Sequence, residues 1–210
     1  MGIDAPGPGE TLNTSGAETP PRQAASVIVL RDGPDGLELL LCKRTERARF
    51  MGGVWVFPGG AVDAAEGEGD ASHRLAAVRE LQEEVAITLQ DAERLVKFSQ
   101  WITPAEVAIR YDTHFFLAPM PEDQKPEIDG DEIVDHGWFT PQAALDAYGR
   151  EEILLVFPTI KHLEQLAPFG STQELLGFAR GREVVPIQPK VVMDGETARV
   201  LLPGEDGYEG

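Results

Sequence analysis

The chain has 210 residues, 42% apolar and 26% charged, with a formal net charge of −18 and a single cysteine. That is enough apolar material for one domain with a full core, while the negative excess excludes general nucleic-acid or membrane-surface binding, which needs a positive footprint. No apolar run approaches the roughly 18 residues of a membrane span, the first residues lack the basic and apolar regions of a secretory leader, and Cys42 alone forbids an intrachain disulfide, so a cytoplasmic protein is expected.

Residues 1–22 are rich in Gly, Pro, Ser and Thr and nearly devoid of large apolar side chains, the composition of a flexible or loosely draped arm. Two apolar runs, 24–30 and 37–43, flank the turn-rich "RDGPDG" and predict a β-hairpin. A basic cluster of Lys43, Arg44, Arg47 and Arg49 follows, then a Pro58-Gly59-Gly60 turn whose glycines permit close backbone approach. From Ser72 to Ala86, Leu75, Val78, Leu81 and Val85 recur at helical spacing, with Asp70 or Ser72 as N-cap. Strands are expected over 95–103, 107–118 and 133–140, with an acidic loop before the last. Thr140-Pro141 opens a helix to about Tyr148. Two more helices are expected near 158–166 and 172–179, and a final hairpin turning at Asp194-Gly195. Strands and helices interleave without regular βαβ alternation, which predicts an α/β fold with a mixed sheet. The expected organisation is an arm over 1–22, a domain over 23–168, and a helical and hairpin extension over 169–210.

The chemistry concentrates on the first helix. Offsets of three and four residues place Glu80, Glu83 and Glu84 on one face, opposite the Leu75/Val78/Leu81 stripe. Like charges so spaced cost a few tenths of a kcal/mol each, and Arg79 offsets part of this through Glu83. Hard divalent cations would resolve the rest; a solvated acidic helix face is the alternative. His73, His114, His136 and His162 lie in separate segments without ligand spacing and read as ordinary. Cys42, on an apolar strand, reads as a small core residue.

The segment Gly60–Ile87 resembles the Nudix hydrolases, whose box runs G-x5-E-x7-R-E-U-x-E-E-x-G-U, with U a bulky aliphatic residue. Gly60 and Glu66 match the first half, and Arg79-Glu80-Leu81-Gln82-Glu83-Glu84-Val85-Ala86-Ile87 the second, with Ala86 in the glycine position. Between Glu66 and Arg79 lie twelve residues rather than seven, which leaves open whether Glu66 or Glu68 is the first box glutamate. The resemblance implies a Nudix α/β/α sandwich. It also implies that Glu80, Glu83, Glu84 and the Gly59 carbonyl hold Mg²⁺ or Mn²⁺, that Arg79 orients the glutamates, and that a nucleoside diphosphate linked to another moiety is hydrolysed. The proton acceptor would be Glu80 or a loop carboxylate among Glu127, Asp129, Asp131 and Glu132, with Glu132 favoured because it directly precedes the strand at 133.

Upstream, "LLCKRTERARFMGGVWVFPGG" (40–60) is similar to the signature of the coenzyme A pyrophosphatase branch, L-L-T-x-R-S-x3-R-x3-G-x3-F-P-G-G, with Cys42 and Thr45 in place of its threonine and serine. "FPGGAVDAA" before an inserted segment resembles relatives of peroxisomal type. The implied substrate is a small-molecule nucleotide, coenzyme A or acyl-CoA. Arg44 and Arg49 would grip its 3′-phosphate or diphosphate, and Trp101 and Tyr111 are candidates to stack on adenine. ADP-ribose, NADH, a nucleotide sugar or a damaged nucleoside triphosphate are the alternative substrates. A ligand-sensing module without chemistry is the alternative class, disfavoured because the box glutamates are intact. Dimers are common in the family.

Overall fold

A computed structural model describes residues 11–13, 18–48, 51–194 and 197–209. The central strand is β1 (Arg22–Gly33), buried continuously from Ala24 to Leu30, the pattern of a strand covered on both faces. It pairs antiparallel with β2 (Gly36–Arg44) across the predicted turn, Leu30 opposite Leu39, and parallel with β6 (Tyr111–Pro119) on its other edge. Beyond β6 lies β5 (Val96–Ile102), and β7 (Ile133–Phe139) runs along the free edge of β2.

Two short strands that local patterning did not predict decide the shape of the sheet. β1 and β2 are paired only near their shared turn; the other half of β2 takes β3 (Val54–Val56), and the other half of β1 takes β4 (Gly59–Ala61). The Phe57-Pro58 link therefore wedges between two diverging strands, pinned by the Val27 N–H donating to the Pro58 carbonyl at 2.8 Å. A two-residue strand, β8 (Leu154–Leu155), adds parallel to β3.

Helix α1 (Asp70–Val85) covers one face of the sheet. Helices α2 (Pro141–Gly149), α3 (Phe157–Leu166) and α4 (Thr172–Arg180) cover the other. The expected α/β/α sandwich with a mixed sheet is thus observed. α2 has the expected cap, Thr140 Oγ1 accepting from the Ala143 N–H with proline at the first turn. The C-terminal hairpin, β9 (Lys190–Asp194) with β10 (Thr197–Leu201), is also present, its turn residues 195 and 196 outside the described ones. No helix among the described residues is long and apolar enough to cross a membrane.

Three expectations need correction. The N-cap of α1 is Gly69; Asp70 instead pairs with Arg74 at 2.8 Å, and Ser72 Oγ donates back to the Gly69 carbonyl. The predicted stripe faces the sheet at Val78, Leu81 and Val85 but not at Leu75. Leu75 is exposed, and the buried positions include Ala76, Ala77, Leu81, Glu84 and Val85; the two alanines let the helix axis approach β1 and β4 closely. The strand expected over 107–118 starts only at Tyr111. Residues 103–110 form a loop braced by the buried Arg110, which donates to the carbonyls of Thr103 and Thr19. Leu12 bridges to Val107 there, so the described part of the N-terminal arm lies against this loop.

Candidate active site

The wedge places the two glycines between β1 and α1. A Cβ on Gly59 would stand 2.4 Å from the Ala25 carbonyl oxygen, and one on Gly60 2.4 Å from the Glu80 carboxyl. At Gly59 the obstacle is fixed backbone, so only glycine fits there; at Gly60 it is the end of a flexible side chain. The Gly59 N–H donates to Glu84 Oε2 at 2.8 Å, joining the turn to the helix.

The three helix glutamates do not share one wet face. Because α1 rotates toward the sheet through its alanines, Glu84 is 4% exposed, Glu80 is half-buried and Glu83 is exposed. Burial pushes the Glu84 carboxyl up to about 8; the nearby charges of Glu80 and Glu132 act the same way, against the Gly59 N–H and Arg44. Burial likewise raises Glu80, with Glu83 and Glu132 adding to the effect and Arg79 opposing it. Desolvation and like-charge crowding thus combine in one spot.

Arg79 organises the outer side. Its Nε meets Glu66 Oε1 at 2.9 Å, its Nη1 meets Glu80 Oε1 at 2.7 Å and Glu83 Oε2 at 3.0 Å, and its Nη2 donates to the Ala61 carbonyl. Of the two glutamates left open by the insertion, Glu66 is the one that meets Arg79. It sits on a short 3₁₀ turn, Ala64–Glu66, and also accepts from the Asp63 N–H at 2.7 Å. The Glu66 contact is the main cause that raises the Arg79 guanidinium.

Facing the helix, Arg44 Nη2 pairs with Glu132 Oε1 at 2.7 Å, and the Thr45 N–H holds the Glu132 carbonyl. Sequence reasoning singled out both residues but not their pairing, which joins distant parts of the chain. Asp129 has a structural role, its carboxylate accepting from the Glu132 and Ile133 N–H groups. Arg44, Gly59, Gly60, Glu80 and Glu132 line one cavity of about 810 Å³. Arg79, Glu83 and Glu84 lie outside that lining, and Arg49 lies outside the described residues.

Among the described residues, no three His, Cys, Asp or Glu side chains stand grouped around one point, since Arg79 draws Glu80 and Glu83 to itself. The donor set nonetheless suits a hard divalent cation. It is all oxygen, and Glu84 is a buried carboxyl whose charged form is disfavoured by its surroundings, a cost that a bound cation would relieve. Trp101 and Tyr111 line the same cavity. His73 and His114, separate in sequence, stack at 3.6 Å, and His162 is fully buried against Ser99 at 2.6 Å. Cys42 is buried and its thiol raised by burial, as a core residue should be.

The NUDIX domain family model matches residues 20–159. Over 123 residues the chain is 30% identical to acyl-coenzyme A diphosphatase NUDT19 of Homo sapiens, covering 56% of this chain and 33% of that protein. It is 48% identical over 86 residues to the uncharacterized Nudix hydrolase NudL of Citrobacter koseri, 40% of this chain and 38% of the relative. The chain therefore spans about a third of the first relative and 38% of the second. A NUDIX hydrolase crystal structure from Alicyclobacillus acidocaldarius superposes with a TM-score of 0.69 at 24% identity, covering 77% of this chain and 97% of that one.

Proposed function

The chain belongs to the NUDIX domain family, and from that premise we propose that it hydrolyses the diphosphate bond of coenzyme A or acyl-CoA, giving 3′,5′-ADP and 4′-phosphopantetheine or its acyl derivative. The observation that carries this reading is the single cavity in which the glycine turn and Glu80 face the Arg44–Glu132 pair. The similarity to a protein named acyl-coenzyme A diphosphatase supports the substrate class.

In this reading Glu80, Glu83, Glu84 and the Gly59 carbonyl hold Mg²⁺ or Mn²⁺, which supplies charge neutralisation at the diphosphate and a lower pKa for attacking water. Arg79, anchored by Glu66, orients Glu80 and Glu83. The Arg44 guanidinium binds a phosphate oxygen through its Nε–H, which is buried and has no partner among the described residues. Glu132, fixed beside it at the opposite wall, accepts the proton of the water. Arg49, which precedes β3 in sequence, is assigned the second phosphate contact on the branch signature alone.

The test is a panel of coenzyme A, acyl-CoA, ADP-ribose, NADH and nucleoside triphosphates, incubated with the protein and Mg²⁺ and resolved by chromatography. Release of 3′,5′-ADP from the coenzyme A compounds ahead of the others is expected. Preferential cleavage of ADP-ribose or NADH would overturn the substrate class. Binding without turnover of any diphosphate would overturn the enzyme reading in favour of a sensor.

A further inference from the structure

The catalytic groups line only one side of the 810 Å³ cavity. The remainder is walled by Trp101 and Ile102 at the end of β5, by Val156 and Phe157 at the start of α3, and by Val191 and Val200 of the C-terminal hairpin. The family match ends at residue 159, so this last wall comes from sequence outside it. The hairpin is firmly seated. Ile187 exchanges main-chain bonds with the end of β5, donating to the Gln100 carbonyl and accepting from the Ile102 N–H, both at 2.8 Å. The Val191 N–H donates to the Glu106 carboxylate, and the Tyr208 hydroxyl to the Gln188 carbonyl.

Two features state what this end takes. Arg44, at the catalytic end, is the one Lys or Arg among the described lining residues, so a second phosphate-bearing moiety would find no cation there. And Trp101, 4% exposed, keeps its indole Nε1–H buried with no hydrogen-bond partner among the described residues. An unmet buried donor is costly, and a mostly apolar wall with one beneath it, beside the hydroxyls of Thr103, Thr113 and Thr159, is complementary to an apolar ligand with a carbonyl oxygen. The volume is that of a pocket for a small organic group.

We propose that the C-terminal hairpin is a specificity element: it closes an apolar chamber that takes the acylated pantetheine arm of the substrate, with the Trp101 indole N–H donating to a carbonyl oxygen of that arm. For turnover this rests on the diphosphatase reading; for binding it does not. The probes are therefore N-acetylcysteamine thioesters, which carry thioester and amide carbonyls but no phosphate, titrated against the full chain by calorimetry. Wild-type affinity should rise at least about 100-fold from the acetyl to the decanoyl thioester, a buried methylene being worth about fourfold. Val200→Trp should cut that ratio at least tenfold. Trp101→Phe, which keeps the ring and removes the donor, should weaken both thioesters about five- to tenfold and leave their ratio unchanged.

Affinity independent of chain length in the wild-type protein would overturn the proposal without recourse to any variant. So would a Val200→Trp protein that folds and keeps the wild-type ratio. If the chain-length dependence holds but no coenzyme A ester is cleaved with Mg²⁺, the chamber stands and the diphosphatase reading falls.

Discussion

Replacing the Glu84 carboxyl by an amide, Glu84→Gln, separates the electrostatic cost of that buried group from its service to a cation. In the folded, metal-free protein burial pushes the carboxyl from an ordinary 4.5 up to about 8. Between those values the folded state binds more protons than the unfolded one, so this group's contribution to stability is fully present below pH 4.5 and is lost as pH rises through 8. At 1.36 kcal/mol per pH unit, the loss is about 2 kcal/mol at pH 6 and about 5 kcal/mol at pH 9, a difference of about 3 kcal/mol. The amide of the variant has nothing to ionise and still offers an oxygen to the Gly59 N–H. Urea unfolding in EDTA at pH 6 and pH 9 measures the difference in stability between Glu84→Gln and wild type; it should grow by about 3 kcal/mol in favour of the variant. Added Mg²⁺ should restore the wild-type protein at pH 9 by mass action and the variant far less, while activity of the variant falls by most of kcat. A stability difference that is the same at both pH values would refute the burial argument. Equal Mg²⁺ stabilisation of the two proteins would refute the assignment of Glu84 to the cation.

Other substitutions probe other links of the same chain of reasoning. Ala86 caps α1 in the left-handed region at φ 55°; Ala86→Gly should stabilise the protein by about 0.5–1 kcal/mol and raise Tm by about 2–4 °C in a calorimetric scan. Gly60→Ala meets only the mobile carboxyl of Glu80, so it should lower kcat at least tenfold with little change in Tm. Gly59→Ala meets the fixed carbonyl of Ala25 and should lower Tm by several degrees. The buried His162 is held neutral, its pKa pushed down to about 3 by burial. Below its unfolded value of 6.5 the unfolded state binds the extra proton, so by pH 4.5 this residue should remove about 3 kcal/mol of stability. His162→Gln should show a flatter acid profile in urea titrations, whatever its stability at neutral pH.

The parts of this molecule that sequence determined are those with a local period or a local cap. The hairpin of β1 and β2, the helix at Asp70–Val85, the Thr140-Pro141 helix start and the final hairpin follow from apolar spacing and turn chemistry within a dozen residues. The box spacing likewise marked Arg79 and the three glutamates. The spacing placed Val78, Leu81 and Val85 against the sheet, but it does not contain how far α1 is turned. Two small residues, Ala76 and Ala77, face β1 and β4 in place of the larger Leu75, and that rotation takes Glu84 out of water. Strands of two or three residues, such as β3, β4 and β8, are too short to carry a period, yet they open the gap that seats the Gly59-Gly60 turn. The Arg79–Glu66 contact across the inserted loop and the Arg44–Glu132 pair were likewise set by tertiary structure, as was the return of the C-terminal hairpin to the end of β5. Each joins residues whose distance along the chain says nothing of their distance in space, because only the packing of the whole sheet brings their strands and loops to one rim.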